Sequence, residues 1–221
     1  MNRFVYTTAT LVSKYFLLPL YCRIEVRGLE NVPPDGPLVI ASNHLNDADP
    51  GIICTSIRRP IAFMAKIELF RVPLLAQFLR SFGSFPVRRG EADISTLRMA
   101  NENLKLERAV CIFPEGTREG FAEKLTEALP GAAIVALRND VPILPIAITG
   151  SGRLQIPGMF LRVDRRLKVS LTIGEAFHLE KPARLNAEAA REGTREIMER
   201  IATLLPPENR GYYGYVTKQV S

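Results

Sequence analysis

Leu38 to Pro50 reads LVIASNHLNDADP. Its first four residues form a short, unbroken apolar run, the pattern of a strand covered on both faces, as in parallel sheets sandwiched between helices. The polar residues from Ser42 onward end that strand. Asp49-Pro50 then predicts a helix start, with Asp49 as cap and Pro50 in the first helical position. His44 therefore sits in a loop between a buried strand and a helix, where groups at strand ends of α/β sheets project into a ligand crevice.

Working outward, the same alternation continues. Arg23 to Val26 is a short strand ended by Gly28, and Ile61 to Ala65 is another apolar run. Glu68 to Phe82 carries a helical pattern bent or reset at Pro73. Gly83 to Val87 reads as a strand, Glu91 to Glu107 as a helix, and Ala109 to Phe113 as a buried strand running into the turn Pro114-Glu115-Gly116. A helix is predicted from Pro130 to Asn139, strands over Val141 to Ile148 and Leu167 to Ile173, and a helix from about Asn186 to Leu205 that Pro206-Pro207 stops. The expected fold class is α/β: one layered domain with a mainly parallel or mixed sheet covered by helices.

The chain has 221 residues, 47% of them hydrophobic, enough for one sizeable core and without repeats or linkers that would divide it. Its 29 Lys and Arg against 23 Asp and Glu give a net charge of +6, which favours an anionic partner. The basic residues lie in scattered pairs, Arg58-Arg59, Arg88-Arg89 and Arg165-Arg166, read as solvated surface. Without a basic tract, nucleic acid is not an expected partner. Cys22, Cys54 and Cys111 are odd in number and widely spaced, and read as reduced packing residues rather than disulfides or a zinc site.

Phe4 to Cys22 is apolar and aromatic but broken by Thr7, Thr8, Thr10, Ser13, Lys14 and Pro19. It is too interrupted for a spanning helix and lacks a signal-peptide cleavage site. Two readings remain: an amphipathic helix at a membrane interface, with Phe4, Leu11, Tyr15 and Leu18 at helical spacing, or a helix packed on the body of the protein. Leu154 to Leu161, with Ile156, Met159 and Phe160 between Arg153 and Arg162, is a second stretch open to either reading. His178, at a strand end, is read as structural, and Tyr212-Tyr213-Gly214-Tyr215 as a lipid or partner contact or a tail that folds back.

Two elements carry chemistry. In His44 and Asp49, a carboxylate in the turn can fold back onto the imidazole, fix its tautomer and let it take a proton from an attacking hydroxyl. Taken alone, the pair is equally a capped turn. The other element, Phe113-Pro114-Glu115-Gly116-Thr117-Arg118, puts a carboxylate, a glycine, a hydroxyl and a guanidinium at the end of a buried strand, a set suited to phosphate and hydroxyl groups. A third stretch, Phe85 to Gly90, repeats the order of strand, arginine and glycine.

Together these stretches resemble the glycerolipid acyltransferases of the lysophosphatidic acid (1-acylglycerol-3-phosphate) class. That family shares an H-x-x-x-x-D block, a G-x-x-x-V-x-R block, an F-P-E-G-T-R block and a V-P-I-x-P block. Here NHLNDAD (43–49), GSFPVRR (83–89), FPEGTR (113–118) and VPILP (141–145) follow the same order.

The resemblance implies His44 as general base with Asp49 orienting it, and Lys66, Arg89, Glu115, Gly116, Thr117 and Arg118 binding the acceptor. Arg88 stands where the family often has an acidic residue, so either Arg88 or Arg89 meets the phosphate. It implies acyl-CoA or acyl-carrier-protein as donor and lysophosphatidic acid as acceptor, with no metal and no bound cofactor. It also implies a catalytic domain over 23–221, a membrane-associating segment over 1–22, and peripheral or monotopic attachment to the cytoplasmic face of an anionic membrane. Three other readings are an acyltransferase for another lysophospholipid or polar-lipid acceptor, a thioesterase using His44 on water, for which no G-x-S-x-G elbow is present, and a non-catalytic phospholipid-binding domain.

Overall fold

A computed structural model of the chain describes residues 3–12, 15, 22–57, 59–71, 73–81, 84–87, 94–116, 123–154 and 167–218. Seven strands form one sheet: β1 (Arg23–Arg27), β2 (Leu38–Ser42), β3 (Ile61–Lys66), β4 (Phe85–Val87), β5 (Ala109–Ile112), β6 (Ile143–Thr149) and β7 (Lys168–Ile173), in the order β1-β7-β6-β2-β5-β3-β4. The five strands β6, β2, β5, β3 and β4 are parallel to one another. Antiparallel pairing of β6 with β7, and parallel pairing of β7 with β1, turn the last two strands the other way. The expected mainly parallel, helix-covered sheet is the observed one.

The central strand explains its own sequence. β2 lies between β6 and β5, and all five of its residues are buried. Leu38 and Ile40 face a cluster with Ile52 and Ile53 of α2 (Asp49–Ser56) and Ile146 and Ile148 of β6. Val39 and Ala41 face the opposite cluster, with Ala132, Ala133 and Val135 of α5 (Gly131–Asn139) and Ile197, Met198 and Ile201 of α6 (Ala187–Leu204). With helices on both faces no position on the strand meets water, so the run is continuous rather than alternating. β7 carries the alternation expected for a strand with one face in the core: Val169, Leu171 and Ile173 are buried and the residues between them less so. At one edge of the sheet, β1 carries Arg23, Glu25 and Arg27, charges that discourage pairing with another chain.

Several local expectations shift. Of the two readings of Glu68 to Phe82, bent or reset at Pro73, the reset holds: a 3-10 turn (Ile67–Arg71) precedes a fresh helix α3 (Pro73–Ser81), since proline is tolerated at the start of an α-helix but not inside one. Helix α4 spans Ile94–Lys105. Pro130 caps α5 rather than forming its first turn, and its carbonyl accepts from Ile134 N–H at 2.9 Å. Asn186 caps α6 through its side chain, which accepts from Ala189 N–H at 2.8 Å. Pro145 lies within β6, where a missing N–H would break a ladder. It is tolerated because β7 ends at Ile173, and only Gly174 N–H reaches back to the Pro145 carbonyl at 2.9 Å.

Arg59 is a correction of a different kind. It is buried, not solvated, and its guanidinium donates to the carbonyls of Pro33, Asp35 and Gly36, tying down the loop before β2. Its own carbonyl accepts from the Tyr6 hydroxyl at 3.2 Å, and that hydroxyl also accepts from Ile61 N–H at 3.3 Å. Tyr6 thus pins α1 (Arg3–Val12) to the body of the protein, while Leu11 and Tyr15 stay exposed at 48% and 63%. Among the described residues of this stretch, Tyr6 is buried and Leu11 and Tyr15 face outward. Cys22, Cys54 and Cys111 are free and buried. Tyr213 folds back into the core, its hydroxyl accepting from Ala128 N–H at 3.3 Å. Most of Leu154–Leu161 and the pair Arg165-Arg166 lie outside the described residues, as does Arg58.

Candidate active site

The sheet order sets neighbouring sequence blocks along one edge. β2, β5, β3 and β4 are parallel neighbours, so their C-terminal ends share that edge. β2 runs into His44, β5 into Phe113 and Glu115, β3 ends at Lys66, and β4 ends at Val87, immediately before Arg88-Arg89. The crevice beyond the carboxyl ends of parallel strands is where α/β sheets bind ligands.

His44 and Asp49 meet. The Nδ1 of His44 lies 3.0 Å from Asp49 Oδ2, with the imidazole 7% exposed and the carboxylate fully buried. The same oxygen accepts from Leu45 N–H and Asn46 N–H, each at 2.7 Å. Asp49 does not cap its helix as the sequence suggests. It is the first residue of α2, with Ala48 as cap, and its side chain turns back into the preceding loop. A carboxylate only accepts hydrogen bonds, so the ring must donate from Nδ1, which leaves the lone pair on Nε2.

Asn43 clamps the loop from below, donating to the Ile148 carbonyl at 2.9 Å and accepting from Ile148 N–H at 2.7 Å. Its side chain continues the β2–β6 ladder after the strand itself has ended. Asn46 ties the loop to the opposite wall, donating to the Leu154 carbonyl at 2.7 Å.

The FPEGTR turn reaches the same loop. The Phe113 ring stacks on the imidazole with centroids 4.1 Å apart and planes 21° from parallel. Glu115 Oε1 accepts from His44 N–H at 3.3 Å, and Oε2 accepts from Thr126 N–H at 2.9 Å and from the Thr126 hydroxyl at 3.0 Å. Gly116 closes the turn at φ 70°, donating to the Phe113 carbonyl at 3.1 Å. The positive φ disfavours any side chain there, and a Cβ would also lie 2.7 Å from Leu129 Cδ1, which would have to move aside. Of the other expected site residues, Arg89, Thr117 and Arg118 lie outside the described residues, as does the side chain of Lys66. Asn43, Asn46 and Phe113 carry no expected role from the sequence, although an Asn between a buried strand and a histidine is a cue. For Thr126 there was no local cue, because it meets Glu115 only through the fold.

The sequence profile of the acyltransferase family matches residues 23–149, more than half of the chain and the span that holds this edge. The chain belongs to the acyltransferase family. Among family members, a 1-acyl-sn-glycerol-3-phosphate acyltransferase of Bacillus subtilis is 30% identical over 190 residues, covering 85% of this chain and 91% of that protein. The chloroplastic 1-acyl-sn-glycerol-3-phosphate acyltransferase LPAT1 of Arabidopsis thaliana is 30% identical over 160 residues, covering 71% of this chain and 44% of that protein. This chain spans about half the length of that and similar plastid and algal relatives. The crystal structure of the 1-acyl-sn-glycerophosphate (LPA) acyltransferase PlsC from Thermotoga maritima superposes with a TM-score of 0.71 at 26% identity, covering 91% of this chain and 79% of that one. The α/β fold is therefore shared with that acyltransferase.

Burial pushes the Glu115 carboxyl above its ordinary range, against the pull of the Thr126 and His44 donors. The folded chain thus holds this proton to higher pH than the unfolded chain does. Its stabilising contribution is full below the usual carboxylate range and is lost as pH rises through the raised value. Glu115→Gln does not titrate, so the stability difference between wild type and variant should shrink over that rise. Urea melts at a series of pH values check this, and a wild-type advantage that grows with pH would contradict it.

Proposed function

We propose that this acyltransferase moves a fatty acyl group from a thioester, acyl-CoA or acyl-carrier-protein, to the free hydroxyl of 1-acyl-sn-glycerol-3-phosphate, giving phosphatidic acid. The observation that carries the reading is the buried His44–Asp49 pair at 3.0 Å, on a sheet edge shared with the FPEGTR turn. The names of the relatives support the acceptor.

In this mechanism His44 Nε2 takes the proton of the acceptor hydroxyl as its oxygen bonds to the thioester carbon. The carbonyl becomes an oxyanion, which collapses and breaks the carbon–sulfur bond. The thiolate leaves and takes the proton from the imidazolium. Asp49 stabilises the imidazolium while it exists and keeps Nδ1 protonated throughout. No acyl-enzyme is formed. Lys66, Arg89, Gly116, Thr117 and Arg118 hold the glycerol phosphate of the acceptor. Glu115, whose two oxygens are already engaged, is left out of that set.

Residues 23–221 form the catalytic unit and residues 1–22 a membrane-associating segment, at the cytoplasmic face of an anionic bilayer. Two observations favour this. β1 runs opposite to β2, so Cys22, just before β1, lies at the end of the sheet that carries His44. On that segment Leu11 and Tyr15 are exposed. Among the described residues no helix is long and apolar enough to cross a membrane.

Thiol release from acyl-CoA, measured with and without lysophosphatidic acid, separates the possible activities. Acceptor-dependent release is expected, and His44→Ala should lower it on the order of 10² to 10⁴-fold without unfolding the protein. Release that ignores the acceptor would mean a thioesterase, and more than about a tenth of wild-type activity in His44→Ala would remove His44 as the base. For the membrane segment, Leu11→Asp with Tyr15→Asp should weaken flotation with phosphatidylglycerol vesicles. Undiminished flotation would take that face out of the account.

A further inference from the structure

The turn Phe113-Pro114-Glu115-Gly116 touches His44 twice, through groups that the acceptor does not need. The Phe113 ring covers one face of the imidazole at 4.1 Å, nearly parallel to it. A single hydrogen bond from Nδ1 to Asp49 fixes one point of the ring but still lets the plane tilt about that contact. A parallel aromatic face removes the tilt, so the direction of the Nε2 lone pair is set by two constraints rather than one.

The second contact is to the backbone. His44 lies beyond the last β2–β5 pair, Ala41 with Ile112, so its N–H is out of reach of the ladder. Glu115 Oε1 supplies the missing acceptor at 3.3 Å. The other oxygen is held by Thr126 N–H and its hydroxyl, at 2.9 and 3.0 Å. Turning this carboxylate toward a glycerol hydroxyl would leave both backbone N–H groups, and the Thr126 hydroxyl, without this partner in a partly buried place. Its position suits a brace between the His44 loop and the 123–129 segment, and does not suit a ligand for a substrate that comes and goes.

We propose that Phe113 and Glu115 are positioning residues that seat His44, by ring face and by backbone. The FPEGTR turn then divides its work: its first and third residues hold the base, and Gly116, Thr117 and Arg118 are left to meet the acceptor. This rests on the reading of His44 as base, so the experiment has one arm that needs no activity.

The first arm is proton NMR of the full chain. His44 and His178 are the only histidines, and His178→Gln, a change at an exposed position away from the turn, assigns the His44 ring signals. Protons over an aromatic face are shielded, so Phe113→Leu should move the His44 ring signals downfield and Phe113→Tyr should leave them in place. Glu115→Gln should shift the His44 backbone N–H.

The second arm is steady-state kinetics with oleoyl-CoA and 1-oleoyl-glycerol 3-phosphate. Phe113→Leu and Glu115→Gln should lower kcat on the order of tenfold or more, through misplacement of the base. The acceptor KM should stay within about twofold, and Phe113→Tyr should restore kcat. Ring signals that do not move in Phe113→Leu would overturn the seat, and so would a Glu115→Gln variant with a raised acceptor KM and unchanged kcat. A wild-type chain with no acceptor-dependent thiol release would sink the acyl-transfer reading instead, and the NMR arm would still decide the seat.

Discussion

The loop at the active edge is closed around a single atom. Asp49 Oδ2 accepts from the His44 ring and from two consecutive backbone N–H groups, and this convergence makes residues 44–49 one turn rather than a flexible lead into α2. The three donors do different work. The backbone pair fixes the carboxylate, so that the ring bond has a rigid reference, and the ring bond selects the tautomer. A carboxylate that must hold two amides in place cannot follow the imidazole if it swings away. The pair is therefore preorganised before any substrate arrives, and preorganisation is what makes such a group effective in a barrier-crossing step.

Around that turn the fold supplies walls from distant parts of the chain. Asn43 anchors it to β6, Asn46 to Leu154, Phe113 lies on the ring and Glu115 holds the His44 amide. These contacts require β6, β2 and β5 to be parallel neighbours, since only then do the ends of β2 and β5 and the close of β6 lie together. The reversal of β7 and β1 adds a second consequence, bringing the start of β1 to the same end of the sheet.

Much of this was legible in the residues themselves, for reasons that differ by element. LVIA declared a doubly covered strand because burial on both faces leaves a local signature, and the alternation in β7 did the same for one-sided burial. The fold-back of Asp49 onto His44 was open to a five-residue turn, though its desertion of the helix cap was not. Arg59 misled, because a basic pair looks like surface until three loop carbonyls surround it. The strand order, the reversed pair and the Glu115–Thr126 contact depend on which segments meet in space. Pro145 is the instructive case: its place inside a central strand makes sense only once β7 is seen to stop at Ile173.

Asp49 holds His44 with the proton on Nδ1 and the lone pair on Nε2. Nitrogen-15 NMR of the imidazole in the resting protein tests it directly, since protonated and lone-pair ring nitrogens resonate far apart. An N–H signal is expected for Nδ1 and a lone-pair signal for Nε2 of the neutral ring. The opposite tautomer, with the proton on Nε2 and the lone pair facing Asp49, would contradict it.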